Sequence, residues 1–178
     1  MNFTSRILII PGLGNSGPEH WQSLWEDQFG FLRVEQRDWD TPICDDWVVT
    51  IDHAVMAGPP EEVILVGHSL ACTAIAYWAA QYGRNIKGAL LVAPSDTESP
   101  HYPPGTTGFT PVPLSKLPFP SIVVSSRDDY YVTAERAEQF AQHWGSKLVF
   151  LEAAGHINAA AGFGAWPGGL ALLEQLDQ

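Results

Sequence analysis

The chain is poor in charge and poorer still in positive charge: 16% of its 178 residues are charged, nine Lys or Arg against twenty Asp or Glu. A net charge of −11 lacks the basic surface that nucleic acid and anionic membranes reward, so neither is expected as a partner. Cysteine is scarce too. Cys44 and Cys72, with no Cys-x-x-Cys spacing, supply neither a disulfide framework nor a zinc site. Two reduced thiols suit a cytoplasmic protein, which is the expected location. Long apolar runs are missing: Ile7–Ile10 is cut short by Pro11-Gly12, far from an export signal or the ~20 apolar residues of a spanning helix. The histidines are scattered, with no His-x-x-x-His pair to start a metal site, and neither Gly-x-Gly-x-x-Gly nor a P-loop lysine is present. No metal and no cofactor are therefore expected, and no internal repeat is visible.

What the chain does have is an alternation of short apolar runs with helical patterns, the mark of βαβ units and a parallel sheet. Strands are expected near Arg6–Ile10, Phe31–Gln36, Val63–Val66, Ile86–Val92, Ser121–Ser125 and Lys147–Leu151. Helices are expected near Glu19–Phe29, Asp45–Ala57, Leu70–Tyr82, Thr133–Trp144 and Leu170–Leu176. Ser16 and Glu19 have capping-box spacing for the first helix, and Gly83 suits a left-handed cap for the third. Ala93–Pro120 holds eight of the fourteen prolines and reads as one long functional loop. The expectation is a single domain over residues 1–178: an α/β fold of about six mostly parallel strands with helices on both faces and no full lid domain. Ligands in such a sheet bind at the carboxyl ends of the strands.

Val63–Val66 runs directly into Gly67-His68-Ser69-Leu70-Ala71 and then into a helical run of small residues. This is the grammar of a nucleophile elbow, a sharp strand-to-helix turn that exposes one serine hydroxyl. The pattern alone arises by chance about 0.2 times in a shuffled chain of this composition, so its context decides. A serine hydroxyl needs a base in reach and a carboxylate to orient that base, in the chain order Ser, Asp/Glu, His that α/β-hydrolases use. Asp128-Asp129 follows one expected strand, and Gly155-His156 follows the last, so both fall on the elbow's edge of the sheet. Asp129 is favoured as the acid, because Val132 three residues on can anchor its carboxylate inward; Asp128, as a turn or solvent residue, is the alternative. His68 is expected to pack behind the nucleophile, and Cys72 to be a small buried thiol.

Developing negative charge on an acyl oxygen needs two N–H donors. Leu70, at the start of the elbow helix, supplies one where the helix dipole assists. Leu13, in the loop Pro11-Gly12-Leu13-Gly14 after the first strand, is the choice for the other. Trp21, Trp39 and Trp166 flank these loops and are candidates to line a cleft.

Pro11–Trp21 (PGLGNSGPEHW), Gly67–Ala71 (GHSLA), Ser125–Val132 (SSRDDYYV) and Gly155–Asn158 (GHIN) together resemble the small YdeN-type serine hydrolases. This family includes the retinoblastoma-binding-protein-type hydrolase and is a compact branch of the α/β-hydrolases. The resemblance spans nearly the whole chain. It implies Ser69, Asp129 and His156 as a catalytic triad, and it matches the family's His-Trp after the first loop with His20-Trp21, which marks both as candidate pocket residues. Ala71 stands where relatives usually carry Gly. The expected activity is cleavage of a small ester or amide through an acyl-serine intermediate, at a shallow site open to a small-molecule acyl substrate. A non-catalytic interaction module on the same scaffold is the rival class, because fold alone does not establish function.

Overall fold

The computed structural model describes residues 2–178. Its sheet has six parallel strands, β1 (Arg6–Ile10), β2 (Leu32–Arg33), β3 (Val63–His68), β4 (Gly88–Val92), β5 (Ser121–Ser126) and β6 (Lys147–Leu151), in spatial order β2-β1-β3-β4-β5-β6. The helices are α1 (Trp21–Phe29), α2 (Cys44–Met56), α3 (Leu70–Tyr82), α4 (Ala134–Trp144) and α5 (Pro167–Asp177). Period-two alternation assigns the strand residues to two cores. Leu8, Ile10, Val63, Leu65, Ala89, Leu91 and Val123 pack with α2, α3 and α4. Ile7, Ile9, Ile64, Val66, Leu90, Val92, Ile122 and Val124 pack with α1 and α5. Strands covered on both faces are apolar, as Val63–Val66 of β3 and all of β4 are.

The strand order reverses between β1 and β3, so successive crossovers leave on opposite faces and open a crevice at the carboxyl ends. Gln22, fully buried on α1, closes the base of that crevice. Its Nε2 donates to the carbonyls of Ile10 (3.1 Å) and Val66 (3.2 Å), and its Oε1 accepts from the Ser16 hydroxyl at 2.7 Å. One amide thus joins the last turns of two neighbouring strands to the loop between β1 and α1. Arg33 of β2 orders the same loop from the other side. It pairs with Glu26 and donates to Asn15 Oδ1, Ser16 O and Ser23 Oγ.

Several expected boundaries shift. The capping box at Ser16 and Glu19 does not form: α1 begins at Trp21, and His20 caps it by accepting the Gln22 N–H on Nδ1. Ser16 is committed to Gln22 instead. The second strand pairs over only two residues, because β2 is a sheet edge with β1 as its single partner. Pro167 starts α5 three residues before the expected Leu170, consistent with proline's fit to the first helical turn. The third helix ends at Gly83 in the left-handed conformation, as its sequence position suggests. The proline-rich segment after β4 forms no helix or strand; it is held down by buried Phe109, Val112, Leu117 and Phe119. Among the described residues no helix is long and apolar enough to cross a membrane.

Replacing Gln22 by Leu keeps the volume but strips two carbonyls of a donor and Ser16 of its acceptor. Orphaning a buried polar group costs about 1–3 kcal/mol, so urea denaturation should show Gln22→Leu less stable by at least about 2 kcal/mol. A midpoint equal to that of wild type would refute the bridging role.

Candidate active site

Ser69 sits at the junction of β3 and α3 with φ 58° and ψ −122°. This left-handed turn holds a non-glycine residue at a cost of order 1–3 kcal/mol, and the surrounding backbone fixes it. The Ser69 N–H donates to Val92 O at 2.9 Å, and the Cys72 N–H to Ser69 O at 3.0 Å. A Cβ at Gly12 would lie 2.8 Å from both His68 O and Ser69 Cβ, and one at Gly67 would lie 2.6 Å from Ile75 Cδ1. Gly12 is demanded by close approach, since it lets the β1 loop touch the elbow backbone, whereas a side chain at Gly67 would have to displace the Ile75 terminal methyl of α3. Ala71 is fully buried within this turn.

A serine at the N-cap position usually spends its hydroxyl on the first-turn N–H groups. Ser69 does not: it makes no capping bond. Its Oγ lies 2.8 Å from His156 Nε2 and 2.7 Å from Ser95 Oγ. His156 Nδ1 lies 2.8 and 3.0 Å from the two carboxylate oxygens of Asp129, whose side chain is entirely buried. The proton order follows from the acceptors. The carboxylate requires a proton on Nδ1, which leaves Nε2 free to accept from Ser69, and Ser95 then donates to Ser69 Oγ. The Tyr131 N–H donates to Asp129 Oδ1 at 2.9 Å and holds the carboxylate in place.

Three groups from three elements pin the loop that carries His156. The Asp128 carboxylate accepts from the N–H groups of Ala154 (3.1 Å) and Gly155 (2.9 Å) and from the Ser126 hydroxyl. The Ser126 hydroxyl and these N–H donors hold its carboxyl below the usual range. Trp21 Nε1 donates to Ile157 O at 2.8 Å, and His68 Nε2 donates to His156 O at 2.9 Å. Asp128 is therefore the organiser of the histidine loop, while Asp129 faces the imidazole. His68 lies beside His156, ring centroids 5.0 Å apart, and carries its backbone rather than merely packing behind Ser69.

A cavity of about 210 Å³ opens over Ser69, walled by Gly12, Leu13, Asn15, His20, His68, Ser95, Tyr102, Pro103, Tyr131, His156 and Asn158. Leu13 lies in this wall, and Leu70, next in sequence to Ser69, occupies the first position of α3. Of the two candidate pocket residues, His20 lines the cavity and Trp21 does not. It is fully buried against Trp25 and Trp166 and spends its N–H on Ile157. Trp166 stacks on Trp25, and Trp39 packs edge-on against Trp47. Indoles flanking a site in sequence serve here as its foundation. Cys72 is buried among backbone carbonyls, and burial pushes its thiol well up; Cys44, also buried, is raised to about 12. Neither lines the cavity. The described residues contain no cluster of His, Cys, Asp and Glu able to hold a metal ion.

Sequence reasoning missed Ser95, Asn15, Tyr102 and Asn158. Ser95 follows β4 in Ala93-Pro94-Ser95, with Ala93 at φ 49°, and no motif announces it. Its position one strand over from the elbow, at the same sheet edge, is the only signal that could have found it.

Comparison with known proteins agrees with this architecture. The profile of the serine hydrolase family matches residues 7–175. The chain belongs to that family. A YdeN-like hydrolase from Pectobacterium atrosepticum is 35% identical, covering 96% of this chain and 89% of its own, with a TM-score of 0.83. The ydeN gene product of B. subtilis is 21% identical over 97% of this chain and 98% of its own, TM-score 0.81. An esterase from Rhodococcus shares the fold at 15% identity, 98% and 91% coverage, TM-score 0.69. A search of curated proteins returns no match.

His20 and His68 are buried, and desolvation is the main force holding both below 6.5, His20 at about 4. Between pH 6.5 and about 4 the unfolded chain binds more protons at these sites than the folded one, so stability should rise with pH across that window. Urea titrations at pH 6.5 and 5.0 should show wild type losing about 1–2 kcal/mol more than His20→Asn. Equal losses would remove His20 as a source.

Proposed function

We propose that this serine hydrolase cleaves a small ester or amide through an acyl-Ser69 intermediate. The observation that carries the reading is the unbroken hydrogen-bond path from Asp129 through His156 to a serine hydroxyl that forgoes helix capping. His156 Nε2 takes the Ser69 proton as Oγ attacks the acyl carbon. Asp129 stabilises the imidazolium without taking its proton. The negative oxygen of the tetrahedral species receives the N–H groups of Leu13 and Leu70; the uncapped start of α3 adds the helix dipole. His156 returns its proton to the leaving group, the carbon–leaving-group bond breaks, and acyl-Ser69 remains. Water enters by the same route, with His156 as base, and Ser69 is released with a carboxylic acid.

A cavity of about 210 Å³ favours a small acyl substrate over a long lipid tail, at or below the lower end of ordinary ligand pockets. The segment after β4 contributes Tyr102 and Pro103 to the wall without forming a helical cap. We also propose that the protein works free of nucleic acid and membranes, in the cytoplasm, as its acidic balance and two unpaired thiols suggest.

A fluorophosphonate probe should label wild type and fail to label Ser69→Ala. His156→Ala and Asp129→Asn should label far more slowly, and ester turnover should fall on the order of 10⁴–10⁶-fold across the three variants. Labelling of Ser69→Ala, or none of wild type, would overturn the assignment. In the second case, partner capture unaffected by Ser69→Ala would favour the interaction module.

A further inference from the structure

The polar groups around the cavity are unevenly spent. His20 accepts the Gln22 N–H on Nδ1, so its neutral ring carries the remaining proton on Nε2. That Nε2 is buried and has no partner among the described residues. Asn15 uses its Oδ1 for two donors, the Ser16 N–H at 2.8 Å and Arg33 at 2.9 Å. Asn158 uses its Oδ1 for the Ala161 N–H at 3.0 Å. These bonds orient both amides and leave their NH2 ends unassigned. The Tyr102 hydroxyl is a further buried group without a partner, and burial keeps its proton on. Every one of these side chains lines the cavity over Ser69. The acceptor atoms of His20, Asn15 and Asn158 are taken by the protein, so these three offer only donors, and Tyr102 adds a hydroxyl that can donate.

We propose that this wall is a subsite for hydrogen-bond acceptors, which selects substrates bearing an oxygen acceptor close to the scissile carbonyl over purely hydrocarbon ones of equal size. The inference rests on the acyl-Ser69 reading and adds the class of substrate to it. Buried donors that meet no acceptor penalise an apolar occupant, because binding it shuts water out and repairs nothing. An occupant with a carbonyl, ether or carboxylate oxygen relieves that cost. Discrimination of this kind is much steeper than discrimination by a methylene group. The cavity wall contains no lysine or arginine, and Arg33 behind Asn15 is already paired with Glu26. The selecting groups are thus uncharged donors, and the shared chemistry is the oxygen acceptor, whether neutral or anionic.

Four p-nitrophenyl esters of near-equal size separate the cases: butyrate and valerate as hydrocarbon acyl groups, methoxyacetate as a neutral acceptor, and hemisuccinate as a carboxylate. Rates are corrected for each ester's spontaneous hydrolysis, and labelling by a fluorophosphonate is measured on the same samples. Wild type should favour at least one oxygen-bearing ester by 10-fold or more in kcat/KM. A gain on both esters assigns any oxygen acceptor, and a gain on hemisuccinate alone assigns a carboxylate; either supports the subsite. His20→Asn keeps an oxygen to cap α1 but withdraws the ring donor, and Tyr102→Phe removes only a hydroxyl. The ratio of oxygen-bearing to hydrocarbon ester should fall at least 3-fold in one or both. Normal labelling with no preference in wild type overturns the subsite alone, as does a preference that persists undiminished in both variants. Absence of labelling in wild type overturns the acyl-Ser69 reading and the subsite with it.

Discussion

The strained turn at Ser69 is the constraint on which the remaining structure depends. A left-handed backbone at a serine is tolerated only where the neighbours determine it, and here they do so from three sides. Val92 O holds the Ser69 N–H from β4, the Cys72 N–H of α3 holds the Ser69 carbonyl, and Gly12 brings the β1 loop against the turn. The strain turns the hydroxyl away from the N–H groups it would otherwise cap. One distortion therefore frees both the hydroxyl proposed as nucleophile and the helix terminus proposed to receive the oxyanion.

The same edge of the sheet explains how distant residues converge. Parallel strands place every carboxyl end on one side, so residues following β3, β4, β5 and β6 meet although they lie up to 87 positions apart in sequence. Convergence to within an edge is not convergence to hydrogen-bond distance. That last step comes from the clamps on the histidine loop: Asp128 on its start, His68 on the His156 carbonyl, and Trp21 on Ile157. One of these clamps, Trp21, is a fully buried indole of the α1-side core that does not line the cavity, which ties the imidazole's position to packing away from the cavity.

How much of this was legible in the sequence follows from which interactions are local. The strands were readable because continuous apolar runs mark a sheet covered on both faces, and Gly83 marked its helix end by its own backbone preference. Ser69, Asp129 and His156 could be nominated because each follows a strand in the same direction. The failures are non-local. Ser16 and Glu19 have the spacing of a capping box, but Gln22, buried under two strand ends, claims the Ser16 hydroxyl and His20 takes the cap. Trp21 adjoins the site in sequence, yet a helix residue's neighbours lie three and four positions away, and Trp25 draws it into the core. Ser95 was unreadable because only the pairing of β3 with β4 places it beside Ser69.

The two adjacent aspartates show how close such a division can be. Asp128 and Asp129 have the same chemistry and differ by one position in a turn, yet their carboxylates bind different things. Asp128 takes two backbone N–H groups and a hydroxyl at the surface, and Asp129 takes an imidazole and one N–H with its side chain wholly buried. A carboxylate that accepts from fixed backbone can only stabilise a conformation. One that accepts from an ionisable ring also responds when that ring gains a proton, because the attraction strengthens where solvent is excluded. Burial of Asp129 and exposure of Asp128 thus separate a group that can follow the reaction from one that keeps the loop in shape for it.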